Sequence, residues 1–224
     1  MMRRLLCSLL ALALTCGTWA QKSQTAEQME RMGYVNVTSV DSTIRVSLMY
    51  ARPDNFTGKT LYTDLLEAYL HPTAAKALAR AQSLLRQRRS DLCLIVYDAA
   101  RPMKIQKKMW DAVKNTPMKP YVCNPANGGG LHNYGMAVDV TLCNRQTGDT
   151  LNMGTAIDHL GRYAHITEED ALVRQGVLTP QAKRNRELLR SVMREAGFKP
   201  LNTEWWHFNF ITRAEARRRY KPIP

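Results

Sequence analysis

The segment Gly128-Gly129-Gly130-Leu131-His132-Asn133-Tyr134-Gly135-Met136-Ala137-Val138-Asp139-Val140-Thr141-Leu142 carries the most structural information in the chain. Its second half alternates: Met136, Val138, Val140 and Leu142 fall on one face of an extended strand, and Asp139 falls on the other. Its first half is rich in glycine, which marks a loop leading into that strand. His132 and Asp139 are seven residues apart, an odd spacing that one straight strand would send to opposite faces. The glycines therefore place His132 in the loop and Asp139 on the strand.

Outward from this strand, Leu92-Cys93-Leu94-Ile95-Val96 is an apolar run suited to a buried strand, and Trp205 to Ile211 reads as a final strand. Val35 to Tyr50 alternates weakly and reads as two short strands. Ala77, Leu78, Ala81, Leu84 and Leu85 recur at helical spacing within Thr73 to Arg89, giving an amphipathic helix with a basic outer face. Lys104 to Val113 suits a helix after Pro102. Glu168 to Gly176 and Thr179 to Gly197 suit two more, the second stopped by Gly197 and Pro200. Residues 51–61 and 117–130 are loop-like. No repeat and no linker divides the chain, and strands and helices do not alternate strictly. The expected architecture is α+β, a single domain with a mainly antiparallel sheet and flanking helices.

At 224 residues with 45% hydrophobic and 23% charged side chains, the composition excludes a disordered or fibrous chain. The formal net charge of +13 keeps polyanions in play as partners. Met1-Met2-Arg3-Arg4, the apolar run from Leu5 to Leu14, and Thr18-Trp19-Ala20 form the three-part pattern of a secretory signal peptide cut after Ala20. The run is too short to span a bilayer, which needs about 20 apolar residues, so no stable membrane insertion is expected. The product is expected outside the cytoplasm, in the periplasm or an equivalent compartment. Lipid anchoring at Cys16 is the alternative, though Ala13 stands where such a signal prefers Leu. Export disfavours nucleic acid as a partner and leaves electrostatic contact with anionic envelope polymers. Residues 21–34 read as a loose N-terminal segment and 213–224 as a basic C-terminal tail.

Beyond Ala20 three cysteines remain: Cys93, Cys123 and Cys143. Cys93 sits in an apolar strand and is expected to be buried and inert. Cys123 and Cys143 bracket one loop-rich segment and are the expected disulfide, although sequence alone does not fix connectivity.

Two of the five histidines stand in unusual company: His132, above, and His207 in Glu204-Trp205-Trp206-His207-Phe208. Histidine and carboxylate suit zinc, and a catalytic zinc keeps three protein ligands and one open position. His132, Asp139 and His207 could supply the three, leaving Glu204 free as a base on the zinc water, whose pKa the metal lowers to about 7. Glu204 and His207 lie three apart, so the reading demands a bend before Trp206. On spacing alone this constellation is weak, and isolated surface and core histidines are the leading reading.

The pattern His132-x-x-Gly135-x-Ala137-x-Asp139 followed by Glu204-x-x-His207 resembles the zinc D-alanyl-D-alanine dipeptidases, the vancomycin-resistance-type members of a wider peptidoglycan zinc peptidase group. Tyr50-Ala51-Arg52-Pro53-Asp54-Asn55-Phe56-Thr57-Gly58, Tyr97-Asp98-Ala99-Ala100-Arg101-Pro102 and Asp149 to Asp158 are similar to the dipeptidase branch. The resemblance runs from about Val35 to Phe210 and makes residues 35–212 the dipeptidase domain. It implies one zinc per chain on His132, Asp139 and His207, with Glu204 as general base. It implies Arg101 on the carbonyl oxygen as charge develops, oriented by Asp98, and Asp158 with Tyr50 around the substrate's free ammonium. The implied reaction is hydrolysis of a small dipeptide, D-Ala-D-Ala, in cell-wall peptide metabolism. A carboxypeptidase or endopeptidase acting on peptidoglycan stems is the alternative enzyme, and a non-catalytic envelope-binding module the alternative of another class. One position departs from the pattern: relatives carry Ser two residues before the first ligand, and this chain has Gly130.

Overall fold

The computed structural model describes residues 22–224. The expected signal peptide and Cys16 lie outside the described residues. In chain order the elements are α1 (Gln24–Arg31), β1 (Val35–Asn36), α2 (Val37–Val40), β2 (Arg45–Val46), β3 (Tyr69–Leu70), α3 (Pro72–Arg88), β4 (Leu92–Asp98), α4 (Met103–Val113), β5 (Ala137–Asn144), α5 (Glu169–Arg174), α6 (Pro180–Glu195), β6 (Lys199–Leu201), β7 (Glu204–Asn209) and α7 (Arg213–Arg219). The main sheet has five strands in the order β2-β4-β5-β7-β6. It is antiparallel except for the β2–β4 pair, and β1 and β3 form a separate small antiparallel pair. The architecture is the expected α+β, with helices packed on a mainly antiparallel sheet.

β4 and β5 are the central strands. Both are buried on both faces, which is why β4 reads as an unbroken apolar run. Val138, Val140 and Leu142 of β5 point into the main core, as their period-two spacing predicts. α3 and α6 cover that face. α3 contributes Ala74, Leu78, Ala81 and Leu85, and α6 contributes Leu189, Val192 and Met193. Because β2 is two residues long, it leaves the edge of β4 short of partners. The buried Gln82 of α3 fills the gap, its Oε1 accepting from the Leu94 backbone N–H at 2.7 Å.

Two segments depart from expectation. Of the segment 21–34 expected to be loose, the described residues 22–34 carry a helix: α1 is capped by Ser23, whose hydroxyl accepts from Ala26 N. α1 buries Ala26 and Met29, and Asp64 accepts from the Thr25 amide and hydroxyl. With apolar residues at two positions only, its amphipathic stripe is too thin to read in advance. The basic tail is also anchored. α7 buries Ala216, and the extended end beyond it binds through Ile223, whose N–H donates to Asn133 O (2.7 Å) while its C=O accepts from Met103 N (2.8 Å). The expected pairing of Cys123 with Cys143 is not formed. Cys143 faces Cys93 across β4–β5, with sulfurs 3.2 Å apart and both thiols free, whereas Cys123 lies in the wall of the cavity described below. The antiparallel register, which spacing does not reveal, chooses Cys143's neighbour.

Candidate active site and metal centre

Strand register assembles the site. Asp139 of β5 stands opposite His207 of β7 on one side and opposite Asp98 of β4 on the other, so three polar side chains from three strands meet at one level of the sheet. Two irregularities make this work. An extra residue at Tyr97 breaks the β4–β5 register between Val96 and Asp98. A second break on β7 pairs Pro200 with Phe208 but Leu201 with Glu204, which is the bend needed before Trp206. It brings the Glu204 Oε2 to 3.8 Å from His207 Nδ1.

His132 arrives from the loop, on a 3-10 turn over Leu131–Tyr134 that ends at Gly135 in the left-handed region. A Cβ at Gly135 would come within 2.5 Å of the Tyr34 ring and 2.9 Å of the His71 backbone, so both backbone angle and space require glycine. Asn133 ties the turn to its surroundings. Its side chain accepts from Gly130 N and donates to Arg101 O, while Arg101 N donates to His132 O.

The three candidate ligands converge. His132 Nε2 lies 3.2 Å from His207 Nδ1 and 3.4 Å from Asp139 Oδ1, and His207 Nδ1 lies 3.0 Å from Asp139 Oδ1. Among the described residues they form the one cluster of His, Cys or acidic groups close enough to share a metal ion. A tetrahedral ion with bonds of about 2.0–2.1 Å separates its ligands by about 3.3 Å, so the donor set fits zinc. The far side of each ring strengthens the fit. His132 Nδ1 donates to the Ala99 carbonyl at 2.8 Å, and His207 Nε2 faces Asn209 Oδ1 at 2.9 Å. The inward nitrogens, His132 Nε2 and His207 Nδ1, converge with the Asp139 carboxylate on one point, an arrangement that a central cation would complete. Burial alone would raise the Asp139 pKa, but the two imidazoles outweigh it and hold the carboxyl well below its usual range.

Around this cluster lies a cavity of about 440 Å³. Glu204 lines it, and burial pushes its pKa up to about 7. Arg101 also lines it, 5.3 Å over the Tyr50 ring. Its Nε and Nη2 both donate to Asp98 Oδ2, at 2.9 and 2.5 Å, and its Nη1 to Gln106 Oε1 at 2.8 Å. Burial works against the guanidinium's charge, yet Asp98 together with Tyr50, Tyr62 and Asp139 outweighs it and raises its pKa. At another part of the wall, Asp158 accepts from the Tyr50 hydroxyl at 2.9 Å and from Phe56 N at 3.4 Å. Burial raises the Asp158 pKa to about 7. Every site residue singled out from sequence, apart from Cys143, therefore lies in or directly behind this cavity. The Gly130 departure has a structural counterpart: the Cys123 sulfur sits 3.2 Å from where a Cβ at 130 would be, filling the space a side chain there would take.

Three supporting residues were not foreseen. Tyr62 donates to Asp98 Oδ1 at 2.6 Å, and Asn209 orients His207. Gln106 holds Arg101 and donates to Cys123 O. Gln106 alone had a sequence signal: it shares a helical stripe with the apolar Met109 and Val113. Of the other histidines, His71 caps α3, His159 stacks on Tyr163, and His165 meets Tyr121 rather than the ligands.

A family profile described as D-ala-D-ala dipeptidase matches residues 30–223. The chain is 34% identical to a D-alanyl-D-alanine dipeptidase of Escherichia coli (strain K12), over 78% of this chain and 82% of that protein. It is 26% identical to a D-alanyl-D-alanine dipeptidase of Enterococcus faecalis (75% and 86% covered) and 27% identical to one of Enterococcus faecium (79% and 91%). With the match spanning nearly all the described residues, the chain belongs to the D-ala-D-ala dipeptidase family, a family of zinc metallopeptidases.

Proposed function

We propose that this protein is an exported zinc peptidase that hydrolyses the free dipeptide D-alanyl-D-alanine to two D-alanines and acts in cell-wall peptide metabolism. The observation that carries the reading is the convergence of two imidazole nitrogens and one carboxylate at 3.0–3.4 Å, with Glu204 beside them. Arg101 and Asp158 share the same cavity. His132, Asp139 and His207 would hold a zinc ion, which would supply Lewis acidity and an acidified water. Glu204, beside the candidate ligands, would take a proton from the attacking water as its oxygen bonds to the peptide carbon. The carbon–nitrogen bond then breaks, and Glu204 returns the proton to the leaving amine. Arg101, fixed by Asp98 and Gln106, directs its guanidinium at the carbonyl oxygen as that atom gains negative charge. Asp158 and Tyr50 receive the substrate ammonium. A site that buries a free ammonium rejects amino-capped chains, because their arrival leaves Asp158 without its cation.

Export rests on the basic-apolar-small pattern of residues 1–20. Among the described residues no helix is long and apolar enough to cross a membrane. The deciding experiment is a substrate panel on zinc-loaded protein. Free D-Ala-D-Ala should be hydrolysed far faster than capped muropeptides, and chelation followed by zinc addition should abolish and restore turnover. Equal rates on capped peptides would replace the dipeptidase reading with a carboxypeptidase or endopeptidase one.

A further inference from the structure

The segment from Leu151 to Gly161, which carries Asp158, contains no helix or strand. Asp158 itself has φ 66°, the one non-glycine residue in the left-handed region among the described residues. Such a conformation persists only where the surroundings hold it. A pocket of about 240 Å³ runs along the segment, lined by Met153, Thr155 and Ile157 and by Thr141 of β5 and Trp205 of β7. The Asp158 carboxylate is held by the Tyr50 hydroxyl and Phe56 N, and the ends of the loop require a further anchor.

It comes from one turn of α6. Arg186 is fully buried. Its Nε donates to Met153 O at 2.6 Å, and its Nη2 donates to Tyr163 O at 3.0 Å and to Thr155 Oγ1 at 3.5 Å. Its guanidinium lies 5.4 Å from the Trp205 ring centre. The adjacent Asn185 donates to Asn152 O at 2.8 Å. Neighbouring side chains on one helix thus grip the loop where it begins, at 152 and 153, and where it ends, at 163. Thr155 Oγ1 also accepts from Trp205 Nε1 at 2.8 Å, next to Glu204 in the chain. The loop, α6 and the strand bearing Glu204 therefore meet at one hydroxyl. A planar guanidinium suits this task because its fork of donors fixes several acceptors in one plane.

We propose that Arg186 is a positioning residue that sets amino-terminal specificity: by clamping both ends of the 152–163 loop it aims Asp158 at the substrate ammonium. The inference rests on the reading of Asp158 given above. Arg186 touches neither metal ligands nor substrate, so its loss acts on recognition of the free amine and not on bond cleavage.

The test compares free D-Ala-D-Ala with its N-acetyl derivative on zinc-loaded protein. Arg186→Met should raise KM for the free dipeptide about tenfold, the scale of a charged hydrogen bond losing alignment, with kcat within about twofold and zinc content unchanged. The preference for free over N-acetylated substrate should fall by the same factor. A general loss of structure would lower both rates together and leave the preference intact, and that result overturns the proposal. Thr155→Val, which leaves the buried arginine in place, should lower the preference in the same direction by about threefold. It keeps the test open if Arg186→Met does not fold, and an unchanged preference there counts against the clamp. Asp158→Asn separates the two readings. If the preference survives Asp158→Asn, the ammonium role is wrong and the clamp falls with it. If it collapses in Asp158→Asn but not in the Arg186 or Thr155 variants, the clamp alone is wrong. In the double variant, Arg186→Met should add no further loss of preference to Asp158→Asn, and an additive loss refutes coupling through that side chain.

Discussion

The candidate metal cluster and the Asp158 end of the same cavity are built in opposite ways. Asp139 and His207 sit on paired strands in the middle of the sheet, and His132 is locked to them through backbone and Asn133 hydrogen bonds. Asp158 stands on irregular chain, its carboxylate held by Tyr50 and Phe56 N and its loop pinned at the ends by side chains reaching in from α6. A metal ion must be met by three donors at fixed separations, and a hydrogen-bonded ladder supplies that tolerance. Substrate recognition tolerates, and for exchange of substrate and product benefits from, a part whose stability is local.

The contrast can be broken most severely at the sheet. His207→Ala removes one of three candidate ligands and should abolish both zinc retention and hydrolysis, a fall of more than about 10³-fold given what an acidified water contributes. Metal analysis alongside the rate checks it. Glu204→Ala should lower kcat by about 10²–10⁴-fold, the range for a general base, while zinc stays bound. Unchanged turnover would refute the assigned base. Gln106→Leu takes away one acceptor of the Arg101 guanidinium and should lower kcat about tenfold with little change in KM, as expected when a buried charged donor loses a partner. Smallest are the effects on stability, read by chemical denaturation. Val138→Ala in the β5 core should cost about 2 kcal/mol, whereas Ile157→Ala beside the cavity should cost under about 1 kcal/mol, because less packing is lost. Amide exchange should follow the same order, with residues 151–161 opening well below the global unfolding energy and β5 near it. Equal protection of the two regions would erase the distinction.

The same division governed what could be read from sequence. β4, β5, α3 and α6 were legible because each buries a periodic or continuous apolar set. The metal cluster was legible because glycine at 135 and an odd spacing forced His132 off the strand, and because the five motifs resemble a known family. Elements stabilised by distant partners were not. α1 shows little apolar surface and owes its place to Asp64, and the tail's attachment depends on Asn133 and Met103, far away in the chain. The neighbour of Cys143 was set by antiparallel register, and Arg186 looks from sequence like one more charge on a basic helix.

The seating of Ile223 has a practical side. Its backbone bonds join Asn133, immediately after the first candidate ligand, to Met103 at the start of α4. Clipping the chain ahead of Ile223 would therefore unbrace the turn presenting His132, and preparations for assay should be checked for an intact segment there.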